Sequence, residues 1–392
     1  MIPIAKPCLG LLEAKAAEQV IASGWVSQGP QVAGFEADFA AFTGAKHACA
    51  VSNCTSALHL ALLGVGVRPG DEVITVSHSF IAGANTVRQC GGMPVFVDIE
   101  AGGYNVDPDQ LAAAVSRRTR AILVVHQMGM PCDMRAIMQV ANHERIAVVE
   151  DAACAVGSEI QFGSGWRRIG RPMGDVVCFS FHPRKVITTG EGGMLTTDNV
   201  VLDDKFRLWR QHGMSVSDTS RHASAQVIFE DYPVQGYNYR MTDMQAAIGR
   251  EQLKRLPDIV RRRRELANRY RLALQDMDGA RPPAEPVWAR SNWQSYCVRL
   301  EDGIDQVALM QAMLDQGVAS RRGIMNMHQE DAQRDVPLAF PLPRSEAARD
   351  RSVLLPLYAQ MTDEEHDTVL SVFSDALKTA RQPARINLVQ AV

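Results

Sequence analysis

The stretch Phe179-Ser180-Phe181-His182-Pro183-Arg184-Lys185, followed by Thr188-Thr189-Gly190-Glu191-Gly192-Gly193, links two short apolar runs, Asp175–Ser180 and Gly193–Thr197. A lysine therefore stands between a strand end and a glycine-rich turn. The spacing does not match the G-x-x-x-x-G-K-[ST] phosphate loop. A lysine held near a carboxylate-bearing strand suits imine chemistry instead, because burial depresses its pKa and frees the amine. A surface lysine in a basic turn is the competing reading of these residues taken alone.

Five more runs of the same kind lie upstream: His47–Ser52, Val73–Ser77, Pro94–Asp98, Ala121–Val125 and Ile146–Glu150. They are short and several are β-branched, as expected of strands buried on both faces. Helical patterns fall between several of them, at Ser56–Leu63 (opened by Thr55-Ser56), Pro108–Val115 and Asp133–Asn142. Strands alternating with helices imply βαβ units and an α/β fold around a mostly parallel sheet. Near residue 240 the pattern changes. Thr242–Leu256 reads as a helix with Thr242 or Asp243 as its cap, and Pro257 is expected to interrupt it before a second run, Asp258–Leu274. The Arg261–Arg264 run reads as a solvated helix face. After the Pro-rich stretch 281–286 come a strand-like Ser295–Leu300 and a helical Ile304–Gln316. The expected division is a large domain, 1–250, and a smaller C-terminal α+β domain, 251–392, with the N-terminal segment free to pack on the smaller one.

Composition narrows the function. Of 392 residues, 46% are hydrophobic and 22% charged, so the chain has apolar mass for an ordinary core and is not intrinsically disordered. With 41 Lys plus Arg against 44 Asp plus Glu, the net charge of -3 argues against a nucleic-acid surface. No run approaches the ~18 apolar residues of a membrane helix, and residues 1–6 carry no apolar signal core. The eight cysteines form no C-x-x-C pair, so neither a zinc ribbon nor a thioredoxin motif is indicated, and no metal is expected. The expectation is a cytoplasmic enzyme with reduced thiols, no membrane contact and no nucleic-acid partner.

In open α/β sheets ligands bind outside the carboxyl ends of the strands. After the first run comes Asn53-Cys54-Thr55-Ser56, a polar helix start that suits either an anion site or an ordinary cap. Phe80 follows the second run, placed to stack on a planar ligand or simply to fill core. His126 follows the fourth and reads equally as a buried, satisfied histidine. Glu150-Asp151 ends the fifth, where a buried carboxylate needs a partner: a protonated ring nitrogen or an arginine. A phosphate cup, a flat aromatic, a buried carboxylate and a lysine are together the parts of a pyridoxal phosphate site, in which the carboxylate keeps the ring nitrogen protonated.

Order and spacing carry this further. Ser23-Gly24-Trp25-Val26-Ser27-Gln28-Gly29-Pro30, Arg68-Pro69-Gly70-Asp71-Glu72-Val73-Ile74, Pro94–Ile99, Glu150-Asp151-Ala152-Ala153, the S-F-x-x-x-K of 180–185, the G-E-G-G of 190–193, Gly236-Tyr237-Asn238-Tyr239-Arg240-Met241 and Leu355-Pro356-Leu357-Tyr358 occur in one sequence. In this the chain resembles the DegT/DnrJ/EryC1/StrS family of sugar aminotransferases, which have fold type I of the pyridoxal-phosphate enzymes. The resemblance covers nearly the whole chain. It implies a seven-stranded, mostly parallel sheet in the large domain. It implies pyridoxal 5'-phosphate held as an internal aldimine on Lys185, with pyridoxamine 5'-phosphate as the intermediate form. By the same resemblance Asp151 partners the pyridine nitrogen, Phe80 stacks on the ring, and Thr55, Ser56, Ser180 and the backbone of the Cys54–Ser56 turn hold the phosphate. Asn238 matches the residue that reaches the phosphate from the neighbouring subunit, so a homodimer with shared active sites is implied.

One position departs from the family pattern. Three residues after the aspartate, where the family often has Gln or His against the cofactor's phenolic oxygen, this chain has Cys154, a weak donor. Relatives in which histidine replaces the lysine are dehydratases; here Lys185 is present and His182 lies three residues away, which favours transamination. The implied reaction is ping-pong, from an amino donor, glutamate, to a nucleotide-linked 3- or 4-keto-deoxyhexose, in amino-sugar and polysaccharide biosynthesis. Trp25, Arg321, Arg322 and His328 are the candidate substrate contacts; paired arginines suit a diphosphate or carboxylate. The alternatives are a keto-cyclitol, an aminobenzoate-type precursor or a keto-octulosonate as acceptor, or a non-catalytic regulatory protein, against which the retained Lys185 and Asp151 weigh.

Overall fold

The computed structural model describes residues 1–216, 221–222 and 224–381. Seven strands make the main sheet: β1 (His47–Val51), β2 (Glu72–Val76), β3 (Met93–Val97), β4 (Thr119–Val125), β5 (Ala147–Asp151), β8 (Val176–Ser180) and β9 (Gly193–Thr197). They are the seven apolar runs of the sequence, shifted by a residue or two at their ends. Their order is β1-β9-β8-β5-β4-β2-β3. β3, β2, β4, β5 and β8 run parallel, and β9 is antiparallel to both of its neighbours. Helices Cys54–Gly64 and Val200–Trp209 cover one face, and Pro30–Thr43 and part of a long helix cover the other. Because both faces are buried, the central strands read as apolar throughout.

Between β5 and β8 lies a hairpin, β6 (Glu159–Phe162) and β7 (Gly165–Arg168), joined by β11 (Ala289–Arg290) into a three-stranded sheet. β10 (Ala280–Arg281), β12 (Tyr296–Leu300), β13 (Arg321–Arg322) and β14 (Ser352–Leu355) form a second antiparallel sheet in the order β10-β12-β14-β13. Helix Asp363–Thr379 packs against helix Gln306–Asp315 beside that sheet. The N-terminal segment lies with this group: Ile2 bridges to Val318, and Leu357 N–H donates to Ile4 O at 3.3 Å.

Two sequence expectations are corrected in the long helix. Pro257 does not interrupt it; Asp243–Leu274 is continuous. The proline ring faces solvent, while Leu253, Leu256, Ile259 and Val260 bury at helical spacing, so packing holds the helix through one missing backbone bond. Thr242 is the cap, in a capping box with Gln245. The Arg261–Arg264 run is not uniformly solvated. Arg261 is exposed and pairs with Asp258, but Arg263 shares the face of Leu256 and Leu266 and is buried. The helix leaves the main-sheet core after Val260 and joins the second core from Leu266.

Candidate active site

β5 ends in two consecutive carboxylates that point to opposite faces of the sheet, as successive strand residues do. Glu150 is fully partnered. It accepts the Met173 and Gly174 N–H groups at 2.8 and 2.9 Å, and lies 3.1 Å from His126 Nε2. His126 Nδ1 accepts the Cys132 N–H at 3.0 Å, so the ring proton sits on Nε2 and is donated to Glu150. Asp151 differs. It is 9% exposed, flanked in register by Val125 and Cys178, and one oxygen accepts the Ala153 N–H at 2.9 Å. Among the described residues no cation forms an ion pair with it. Burial raises its pKa, and the Ala153 N–H, Lys185 and His126 offset this only in part.

β8 ends at Ser180, 8% exposed, whose hydroxyl accepts the His182 N–H at 3.4 Å. The loop then turns back: Lys185 N–H donates to His182 O at 2.8 Å. Lys185 Nζ donates to Cys154 Sγ at 3.1 Å, which brings the lysine, the Cys154 sulfur and the end of β5 together. The expected depression of the Lys185 pKa is not found. Burial opposes its charge, but Cys154 and Asp151 outweigh burial and the net direction is upward.

Beside β8, the turn after β1 leads into helix Cys54–Gly64. Its cap is Asn53, whose Oδ1 accepts the Ser56 N–H at 2.8 Å, and not Thr55 or Ser56. The Cys54 and Thr55 N–H groups are left at the positive end of the helix with no acceptor among the described residues. Gly193 lies directly beneath: a Cβ there would sit 2.5 Å from the Asn53 carbonyl. The Ser56 and Ser52 hydroxyls are 3.2 Å apart. Phe80 is 57% exposed, next to the N-terminus of helix Ala82–Gln89. Asn238 is exposed; its segment is pinned by a bridge to Gln211 and by the Tyr237 N–H to Trp209 O bond at 2.6 Å.

Among the described residues none of the four substrate candidates makes a hydrogen bond or ion pair with Lys185. Trp25 donates to Gln28 O at 3.1 Å and meets His222 edge-on. Arg321 and Arg322 are exposed on β13, with Arg322 at 3.9 Å from Glu330. His328 is turned inward, 2.6 Å from Ser77 Oγ and 3.3 Å from Glu346. Sequence reasoning missed Asn292, which lies between the Pro-rich stretch 281–286 and the expected strand Ser295–Leu300, and Arg263, which lies in a run taken for a solvated face.

The residues present fit pyridoxal phosphate. A buried carboxylate without a counter-ion suits a protonated ring nitrogen, open N–H groups at a helix start suit a phosphate, and a lysine stands between them. Among the described residues no group of three His, Cys, Asp or Glu side chains is placed to hold a metal ion. No helix there is long and apolar enough to cross a membrane. Fold and site together define a pyridoxal-phosphate-dependent aminotransferase. The model of the DegT/DnrJ/EryC1/StrS aminotransferase family matches residues 7–374, and the chain belongs to that family. The chain is 39% identical to the Bacillus subtilis (strain 168) spore coat polysaccharide biosynthesis protein SpsC, over 97% of this chain and 98% of that protein. It is 34% identical to the aminotransferase TlmJ from Streptoalloteichus hindustanus, with a TM-score of 0.88 over 96% of this chain and 99% of TlmJ. It is 26% identical to the PLP form of the Streptococcus pneumoniae putative sugar aminotransferase Spr1654, with a TM-score of 0.89 over 97% of this chain and 100% of that one.

Proposed function

We propose that the enzyme moves an amino group from an amino acid, glutamate, to a nucleotide-linked 3- or 4-keto-deoxyhexose in polysaccharide biosynthesis. The carrying observation is the meeting of Lys185, Cys154 and an unpaired Asp151 at the ends of β5 and β8. The sugar assignment is supported by the near full-length likeness to SpsC. When bound, pyridoxal phosphate supplies the sink for the electrons of the donor's Cα–H bond. Lys185 Nζ takes that proton and returns it as general base and acid. Asp151 would keep the ring nitrogen protonated, and Phe80 would cover the ring. The Cys54 and Thr55 N–H groups with the Thr55, Ser56 and Ser180 hydroxyls bind the phosphate. Cys154 stands beside the lysine.

Asn238 completes the site from the partner in a homodimer. Its exposure supports this, as do exposed Val227, Phe229, Tyr232 and Val234 on the segment leading to it. The division is into a cofactor domain, 1–250, and a smaller domain, 251–392; the change of core along the long helix, from Val260 to Leu266, supports a boundary within that helix. Trp25, Arg321, Arg322 and His328 remain the candidate sugar-side residues, and the enzyme is assigned to the cytoplasm. The test is a panel of keto-sugar nucleotides incubated with glutamate and read by mass spectrometry. Amination of a keto-deoxyhexose nucleotide is expected; amination of a keto-cyclitol or keto-octulosonate alone refutes the sugar assignment. A Lys185→Ala protein that keeps the visible band of lysine-bound cofactor refutes the lysine assignment.

A further inference from the structure

The turn Ser291–Ser295, just before β12, is tied by hydrogen bonds to three loops of the main sheet. Asn292 is 0% exposed. Its Nδ2 donates to Cys154 O and Val156 O, each at 2.8 Å, and its Oδ1 accepts the Gln294 N–H at 2.8 Å. Its own N–H donates to Ser158 Oγ at 3.0 Å, and Ser158 in turn donates to Gly129 O at 2.6 Å. Gln294 Nε2 donates to Arg184 O, next to Lys185, at 3.1 Å. Ser295 N–H donates to Met128 O at 3.3 Å. Thus one turn holds the Cys154 loop, the Met128–Gly129 turn and the Lys185 loop.

Two residues at this junction have left-handed backbones, Met128 at φ 56° and Trp293 at φ 52°. Non-glycine residues adopt that region only where surroundings impose it. Both residues line a cavity of about 230 Å³ that also borders Tyr104 and Met130. Arg263, 6% exposed, holds the turn by its carbonyls: its Nε donates to Trp293 O at 2.9 Å and its Nη2 donates to Gln294 O at 2.6 Å, while the Trp293 N–H donates to Ser291 Oγ at 2.9 Å. No carboxylate pairs with Arg263 among the described residues, and burial lowers its pKa to about 10. A buried guanidinium without a counter-ion is costly, and both carbonyls it serves belong to the turn. Gly129 shows how close the fit is: a Cβ there would lie 1.9 Å from Asn292 Oδ1.

We propose that Arg263 and Asn292 are positioning residues for transamination, acting through the 291–295 turn to hold Lys185 and Cys154 in register across the two cores. This rests on Lys185 being the cofactor lysine. Arg263 suits the task because its planar fork spans two carbonyls, which a single ammonium does not reproduce.

The test uses the holoenzyme of Arg263→Gln, Arg263→Lys and Gln294→Ala. Gln294 is only half-buried, so its truncation leaves the core intact and removes the direct tie to the Lys185 loop. Each protein is measured for kcat and KM with glutamate, for the pH midpoint of the visible band of lysine-bound cofactor, and for thermal unfolding. Arg263→Gln is expected to lower kcat about tenfold to 100-fold with KM changed less than about threefold, since small misplacement of reacting groups is that costly. The band's pH midpoint is expected to move by about half a unit or more, with partial recovery in Arg263→Lys and a smaller shift of the same sign in Gln294→Ala. Lower unfolding temperatures with unchanged kcat and midpoint in Arg263→Lys and Gln294→Ala overturn the proposal. A band that survives Lys185→Ala instead overturns the lysine assignment beneath it.

Discussion

Asp151→Asn should act in opposite directions on the protein without and with its cofactor. The carboxyl group is 9% exposed, accepts one N–H at 2.9 Å, and has no cation paired with it among the described residues. Its pKa in the folded chain is raised above the ordinary 3.8, burial being the largest cause. A raised acid pKa means that folding favours the protonated form. Stability therefore falls as pH rises from the unfolded value through the folded one, and the cofactor-free protein carries a penalty at pH 7 that grows until the folded value is passed. Asparagine keeps the shape and the acceptor for Ala153 but not the charge. Relief of a buried group lacking its partner is worth about 1–3 kcal/mol, so cofactor-free Asp151→Asn should be the more stable protein at pH 7, with the gain shrinking at acid pH. With a protonated ring nitrogen beside it, the same carboxylate makes a charge-assisted bond worth about 1.5–3 kcal/mol. The variant should then bind pyridoxal phosphate about 10- to 150-fold more weakly. Urea unfolding of the cofactor-free proteins at two pH values and a fluorescence titration with the cofactor measure both effects. A cofactor-free variant less stable than its parent, or one with unchanged cofactor affinity, refutes the reasoning.

Glu36 gives the opposite pH sign. Burial would raise its pKa, but Arg210 and Arg207 pull it below 4.5, so its contribution is present above pH 4.5 and lost as pH falls below that. Glu36→Gln should cost about 3–5 kcal/mol at pH 7, and acid titration of both proteins should show the gap closing below pH 4.5. Thr242→Ala removes the capping box of the long helix and should cost about 1 kcal/mol in urea unfolding. Gly193→Ala pushes a Cβ to within 2.5 Å of the Asn53 carbonyl. Such overpacking costs about 1–3 kcal/mol; if it is taken up by the Asn53–Ser56 turn, cofactor affinity should fall by tenfold or more while the unfolding midpoint changes little.

The seven strands of the main sheet were legible because strands buried on both faces are apolar at every position, and each run ended in polar residues within one or two places of the observed end. Other features were less legible for identifiable reasons. Asn53, Thr55 and Ser56 are all good caps, and only geometry selects Asn53. Pro257 signals a break by its own chemistry, but the signal is overridden by apolar neighbours spaced to bury a whole helix. Arg263 looks like its solvated neighbours, since a run of arginines has no hydrophobic period of its own; its burial shows only when the face is traced to Leu256 and Leu266. The β6–β7 hairpin is mostly exposed and short, so it leaves neither an alternating nor a continuous apolar pattern. Asn292 gives no local signal at all, because its partners at 154 and 156 lie more than a hundred residues away.

Glu150 serves as an internal control on the reading of Asp151. Both are buried carboxylates at the end of one strand, and their local sequence by itself does not separate them; only the family resemblance singles out Asp151. The structure separates them by what they touch. Glu150, with two N–H donors and the His126 ring, is a structural hub tying β5 to the β4 end and to the loop before β8. A neutral amide at 150 faces three donors and keeps one strong acceptor, so it should destabilise the fold with or without cofactor. Asp151 meets one N–H and shares its surroundings with Lys185. A carboxylate whose burial is matched by partners supports the fold. One whose burial is unmatched points to a ligand that brings the missing charge to the carboxyl end of the strand.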